Sequence, residues 1–310
     1  IFSLSGSASF AGTGTIHITS QLDAASNISI PGTVNMDGSS KITGSGNVSI
    51  TGTMNWNAGQ MDAGGSTTIS PGAKLNIGGA VGLYRTLNNN GATTLTAGYI
   101  SFYGGVINND GQFTIVNDSD LDKTGVSGVF NNNGVFKKTG TATVPERTYV
   151  TAIFNNNNNG SVDVKAGMLS FDGGGTAKGS FTTSSGATTR FDGSTKTYTL
   201  NAGTYFDNAG SIQITSILDV NADVELSGVV TISGGGAIQG AGNLTISGAM
   251  DWQSGTMSGT GTTQIASTGT LNISGASSKT LTQRVINNSG TVNWSARVAG
   301  GSDARLNNLA

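Results

Sequence analysis

Residues 290–294 read GTVNW, residues 52–56 read GTMNW, and residues 32–36 read GTVNM. Each stretch opens on Gly, passes a spacer, and sets two apolar residues on either side of a polar one. Alternation of period two marks a strand with one buried and one wet face. The pattern Gly-x-φ-x-φ, with φ apolar, starts at Gly14, Gly32, Gly52, Gly111, Gly160, Gly210, Gly228, Gly248 and Gly290. Gly72 begins a copy one residue longer and Gly269 one residue shorter, and weaker copies start at Gly91, Gly134 and Gly186. The steps between these glycines average about 21 residues, the expected signature of a repeat architecture.

Each repeat holds further alternating stretches, such as NVSI (47–50) and STTI (66–69). No stretch has useful helical periodicity. About 21 residues carrying three strands of four or five residues make one turn of a β-solenoid. Each strand then lies parallel to its copy in the next turn, about 4.8 Å away, and parallel crossovers favour the right hand. The expectation is an all-β chain, a right-handed parallel β-helix of about 14 coils of roughly 21 residues, some 65–70 Å long on that spacing. It is read as a single continuous solenoid over residues 1–310. Val34, Met54 and Leu75 should form one inward column, and Met36, Trp56 and Ile77 the next.

A larger repeat overlies the small one. Residues 16–79 align without a gap to residues 212–275, with about 26 of the 64 positions identical. After a short insertion, Arg85-x-Leu-Asn-Asn matches Arg284-x-Ile-Asn-Asn, so a module over 16–87 recurs over 212–286. The coils over 111–186 depart most from the common step and are expected to carry loops.

Composition narrows the classes of function. Among 310 residues there are 49 Gly, three Pro and no Cys, and charged residues make up 10%. Such a composition would suggest disorder if apolar residues were sparse, but here they are placed regularly. Lack of Cys excludes a disulfide framework and thiolate metal sites. A net charge of −2 gives no drive toward nucleic acid or an anionic membrane. No apolar run is long enough for membrane insertion as a helix. Residue 1 is Ile and the first ten residues lack a basic region, so the chain is expected to be a processed product or an excised piece.

One corner carries its own signature: an apolar residue, Asn-Asn or Asp-Asn, any residue, then Gly. It places Asn88 and Asn89, Asn108 and Asn109, Asn131 and Asn132, Asn208, and Asn287 and Asn288 at equivalent corners, and a longer form runs from Phe154 to Gly160. Asn tolerates left-handed backbone and bonds its own turn. Stacked Asn side chains can also pair from coil to coil. The closing stretch ARLNNLA starts another such corner. Neither end has a helical or charged cap, which predicts that the chain meets neighbouring coils of a longer parent, or identical subunits end to end.

The stretches INNSGTVNW (286–294), SGTMSGTGTTQIASTGTLNISG (254–275) and VFNNNGVFKKTGTATV (129–144) resemble the β-helical repeats of very large bacterial surface proteins, the filamentous-haemagglutinin-like and autotransporter-type adhesins. The resemblance implies a non-enzymatic, extracellular or cell-surface structural segment of a bacterial adhesin or filament, with surface glycans as candidate partners.

Candidate chemistry is sparse. The single histidine, His17, takes the polar place in GTIHI, and its match in the second module is Gln213. Polysaccharide lyases and hydrolases on this fold gather carboxylates and basic residues on one face, and a carbohydrate-active or passively glycan-binding β-helix is the alternative reading. Asp118, Asp120 and Asp122 in NDSDLDK form a candidate Ca²⁺ set through oxygen ligands, although Lys123 stands where an EF-hand needs Gly. No other cofactor is expected. Lys123, Lys137 and Lys138 mark the place to look for a groove, with Asp172, Arg190, Asp192 and Lys196 in the same region. Trp56, Trp252 and Trp294 end φ-x-φ pairs and are expected in the stacked core.

Overall fold

A computed structural model describes residues 1–6, 9–62, 64–126, 128–140 and 147–309, and for residues 122–126 it describes the backbone alone. Among the described residues every regular element is a strand. Each strand pairs in parallel with a strand about 20 residues away, giving a β-solenoid of about fifteen turns. The count exceeds the number of glycine-led repeats because Phe2–Leu4, which no such glycine introduces, already pairs with Gln21–Ala24.

Contacts gather into two compact units, one over Ile1–Thr141 and Thr148–Asn155, the other over Ala142–Arg147 and Asn156–Ala310. In the first unit three parallel sheets share the turns. One carries the glycine-led strands: Thr15–Ile18, Thr33–Met36, Thr53–Trp56, Lys74–Ile77, Ala92–Leu95, Gln112–Ile115 and Val135–Lys138. A second includes Lys41–Thr43, Gln60–Met61, Ala80–Leu83 and Tyr99–Tyr103, and a third includes Ser66–Ile69, Thr86–Asn89, Val106–Asn109 and Val129–Asn132. In the second unit the glycine-led strands Ser211–Ile214, Val229–Ile232, Ala249–Trp252, Thr270–Ile273 and Thr291–Trp294 again form one sheet.

The register delivers the predicted columns. Val34 faces Met54 and Met54 faces Leu75, while Met36, Trp56 and Ile77 stand in the next column. All six are fully buried. A parallel ladder repeats its hydrogen bonds at even spacing, so residues at equal height must lie over one another. The second module repeats the arrangement with Val230, Met250 and Leu271, beside Ile232, Trp252 and Ile273. Trp294 departs from the expectation. It lies on the last strand of its sheet, is 55% exposed, and its indole N–H donates to the Ala296 carbonyl at 2.6 Å.

Aromatic residues fill the wider turns. In the first unit Phe130 stacks on Phe154 at 5.1 Å and Phe113 on Phe136 at 5.7 Å, with edge-to-face contacts between the pairs. There the spacing between paired asparagines rises from 20 residues to 23 and then 24. In the second unit Phe181 stacks on Phe206 at 4.9 Å beside Phe171, Phe191 and Tyr198. Burial pushes the Tyr198 hydroxyl well above its ordinary pKa.

The corner glycines owe their place mainly to close approach. A Cβ on Gly111 would lie 2.1 Å from the Gly91 carbonyl oxygen, one turn away. At Gly72 the space is open, and the backbone itself, with φ of +82°, selects glycine. Gly111→Ala is therefore expected to cost about 1–3 kcal/mol, the range for overpacking. Gly14→Ala, with no atom within 4 Å of the added carbon and no positive φ, should be nearly neutral. Urea midpoints followed by circular dichroism compare the two.

Candidate functional site

The asparagine corners form two side-chain ladders in the first unit. The inward column is fully buried: Asn89 Nδ2 donates to Asn109 Oδ1 and Asn109 Nδ2 to Asn132 Oδ1, each at 2.7 Å. The same amides also donate to the Gln112 and Val135 carbonyls at 2.9 and 3.1 Å. The outward column runs beside it, with Asn108 donating to Asn88, Asn131 to Asn108 and Asn155 to Asn131 at 2.9–3.0 Å. In the second unit Asn288 donates to Asn308 at 2.8 Å and Asn307 to Asn287 at 2.9 Å. Asn208 does not join a ladder. It is buried, yet neither its amide nitrogen nor its oxygen finds a partner.

A third ladder lies on the glycine-led face. Asn76 donates to Asn55, and Asn55 to Asn35, both at 2.8 Å. The second module keeps it, with Asn293 donating to Asn272 and Asn272 to Asp251. These residues fill the polar place between the two φ positions. The signal was Asn in that place in three consecutive repeats.

Two buried arginines are the feature that sequence reasoning missed. Arg85 is 3% exposed and Arg284 fully buried. Arg284 donates from Nε to Thr263 Oγ1 at 2.8 Å, and from its two terminal nitrogens to the carbonyls of Gly240, Gly242, Ser258 and Thr262 at 3.1–3.4 Å. Arg85 repeats the pattern in part: Nε bonds the Gly65 carbonyl at 2.8 Å and Nη2 reaches Gly46 and Gly44, while its buried Nη1 has no partner. Gly44 and Gly46 match Gly240 and Gly242 in the module alignment. Each planar guanidinium thus ties three successive turns through backbone carbonyl oxygens, a task suited to its fixed fork of donors. Burial lowers both pKa values, Arg284 to about 10, which leaves the charge in place at neutral pH.

Most of the acidic and basic candidates hold one another. Lys138, expected to mark a groove, is instead fully buried. It takes the second inward place of Val135–Lys138, and its Nζ meets Asp118 Oδ1 and the Asn117 carbonyl, each at 2.7 Å. Asp120 Oδ1 accepts the Tyr149 backbone N–H at 2.7 Å. The side chains of Asp122 and Lys123 lie outside the described residues. Among the described residues no three His, Cys, Asp or Glu side chains gather as a metal site. Asp118 already faces an ammonium, so its oxygen is poorly placed to serve Ca²⁺. His17 is exposed.

A second polar cluster does assemble, in the second unit. Arg190 Nη2 meets Asp192 Oδ2 at 2.6 Å, and Arg147 Nη1 approaches the same oxygen at 3.7 Å. Arg190 Nε donates to Thr215 Oγ1 at 3.2 Å. Asp172 follows Phe171, which pairs with the Phe191 preceding Asp192, so the two carboxyls follow in-register positions of adjacent turns. Ser170 Oγ donates to Asp172 Oδ1 at 2.5 Å. Burial raises the Asp172 pKa above its ordinary 3.8 with the help of Asp192, against the lowering pull of Ser170, Arg147 and Arg190. Lys196 stays exposed. One carboxyl pushed toward its neutral form beside one held by two guanidiniums is the asymmetry that acid–base pairs use.

The fold and these groups define a parallel β-solenoid whose polar side chains largely bind its own turns. No family model, no curated protein and no solved structure matches the chain.

Arg284→Ala and Arg284→Lys should both lower the urea midpoint, corresponding to about 2–3 kcal/mol of stability, because buried carbonyls lose their donors. Lys41→Ala, at a half-exposed ion pair, should change it by less than about 1 kcal/mol. For Asp172 the raised folded pKa means that its contribution is fully present below 3.8 and is lost as pH rises through the folded value. Asp172→Asn is therefore expected to melt higher than the parent at pH 7 and to match it most closely in acid.

Proposed function

We propose that this chain is a non-enzymatic structural segment of a bacterial extracellular filament or adhesin. The observation that carries the reading is the set of amide ladders. On successive turns the outward asparagines bond their own copies, so side chains that would otherwise recruit a ligand instead hold turn to turn. The interior arginines and stacked phenylalanines act in the same sense. Under this reading the partners are neighbouring coils of a longer protein, or further copies of the chain, with surface glycans a candidate ligand. A net charge of −2 favours neither nucleic acid nor an anionic membrane. No helix among the described residues is long and apolar enough to cross a membrane.

The second reading, a carbohydrate-active β-helix, draws on the Arg147, Asp172, Arg190 and Asp192 cluster. One assay separates the two. Incubated with pectin or alginate, with and without Ca²⁺, the chain is expected to release neither new reducing ends nor unsaturated uronides. Cleavage that disappears in Asp192→Asn would replace the structural reading with the enzymatic one.

A further inference from the structure

Gly82 sits at an outward place in the strand Ala80–Leu83. Glycine inside a strand weakens it, and it usually marks a bulge or a site of close approach. No backbone reason applies here. All four residues of the strand pair with Tyr99–Tyr103 on one side, and Gly82 and Leu83 pair in register with Gln60 and Met61 on the other. Its φ is not positive. An added Cβ would meet side chains only, Gln60 Cβ at 3.3 Å and Cε2 of Tyr84 and Tyr103 at 3.5 Å, whereas at Gly111 it would strike backbone at 2.1 Å.

What glycine does create is a notch of about 180 Å³, lined by Gln60, Ala80, Gly82, Tyr99, Ser101 and Tyr103. Tyr103 is stacked on Tyr84 with ring centroids 4.3 Å apart and planes 6° from parallel, so one wall is fixed. Tyr99, the opposite wall, is 43% exposed. The second module shows that the turn does not require the notch. Leu281 pairs with Met257 as Leu83 pairs with Met61, and Thr280 and Thr282 there replace Gly82 and Tyr84.

We propose that this notch binds one neutral pyranose ring of a glycan. A sugar ring has an apolar C–H face, which an exposed tyrosine ring can cover, and a rim of hydroxyls, which suit the Gln60 amide. The volume lies below the roughly 300 Å³ at which drug-sized pockets begin, which restricts the site to a single ring. No charged side chain lines the notch. Lys41, one strand below Gln60, and Asp62, bonded to Gln60, pair with each other at 3.8 Å and offset one another. Gln60 Nε2 donates to the same Asp62 carboxylate at 3.1 Å, which holds the amide in place. The assignment rests on this face alone and stands whether the chain is a filament segment or an enzyme.

The test is saturation-transfer NMR with calorimetry on the whole chain, using methyl glycosides of neutral hexoses and N-acetylhexosamines, with methyl glucuronide as the charged comparator. At least one neutral glycoside should saturate at roughly millimolar concentration. Tyr99→Ala should weaken it about tenfold or more with circular dichroism and melting temperature kept. Gly82→Val, which fills the notch but presses on Gln60, Tyr84 and Tyr103, should weaken it as much at a lower melting temperature. Thr280→Val, at the matching place in the second module, should bind as the parent does. If Gly82→Val alters the fold, Tyr99→Ala reads the same loss from an exposed position. Failure of every neutral glycoside to saturate, preference for the glucuronide, or full binding in Gly82→Val and Tyr99→Ala would overturn the proposal. The polysaccharide-cleavage assay is unaffected by any of these results, so the two readings fail separately.

Discussion

The whole molecule answers to one constraint: parallel hydrogen bonding puts each residue directly over its counterpart about one strand spacing away. A column must therefore be filled with residues that tolerate neighbours of their own kind. Aliphatic and aromatic side chains do so by packing, as Val34, Met54 and Leu75 or Phe130 and Phe154 show. Asparagine does so because a single side chain carries both a donor and an acceptor. Ionised groups do not, since like charges stacked at this distance repel. That explains a charged fraction of only 10% and the replacement of a carboxylate stack by Asp251 followed by Asn272 and Asn293.

The same constraint makes the interior arginines intelligible. A buried guanidinium is costly unless its donors are met. Stacked turns present carbonyl oxygens at regular intervals, and those of Gly240 and Gly242 lie within hydrogen-bonding distance of the guanidinium. Each arginine closes a gap that no apolar side chain would satisfy. Recurrence at Arg85 and Arg284 indicates that the device belongs to the module and not to one accident of packing.

Legibility in the sequence followed periodicity. The glycine-led strands, their columns and the corner ladders at Asn88, Asn108 and Asn131 repeat often enough for spacing alone to reveal them. The ladder at Asn35, Asn55 and Asn76 is equally regular, but period-two alternation places those residues on the wet face and does not show that they bond one another. Single-copy features were opaque. Lys138 looks like a surface cation until the alternation of Val135–Lys138 is followed to its second inward place. Arg147 and Asp192 lie 45 residues apart across turns of unequal length, so no fixed offset brings them together. The notch at Gly82 combines a missing side chain with two tyrosines 19 residues apart, and an absence leaves no pattern to count.

The two asparagine columns of the first unit donate in opposite senses. In the buried one each amide gives its hydrogen toward the later turn, while in the exposed one each gives it toward the earlier turn. Aligned dipoles would add along the stack, much as peptide units sum along a helix. Set head to tail against each other at the same corner, the two rows cancel. At that corner the polarity that a single ladder would accumulate with every added turn is offset by its neighbour, whereas the Asn35, Asn55 and Asn76 ladder, donating throughout toward the earlier turn, keeps its own.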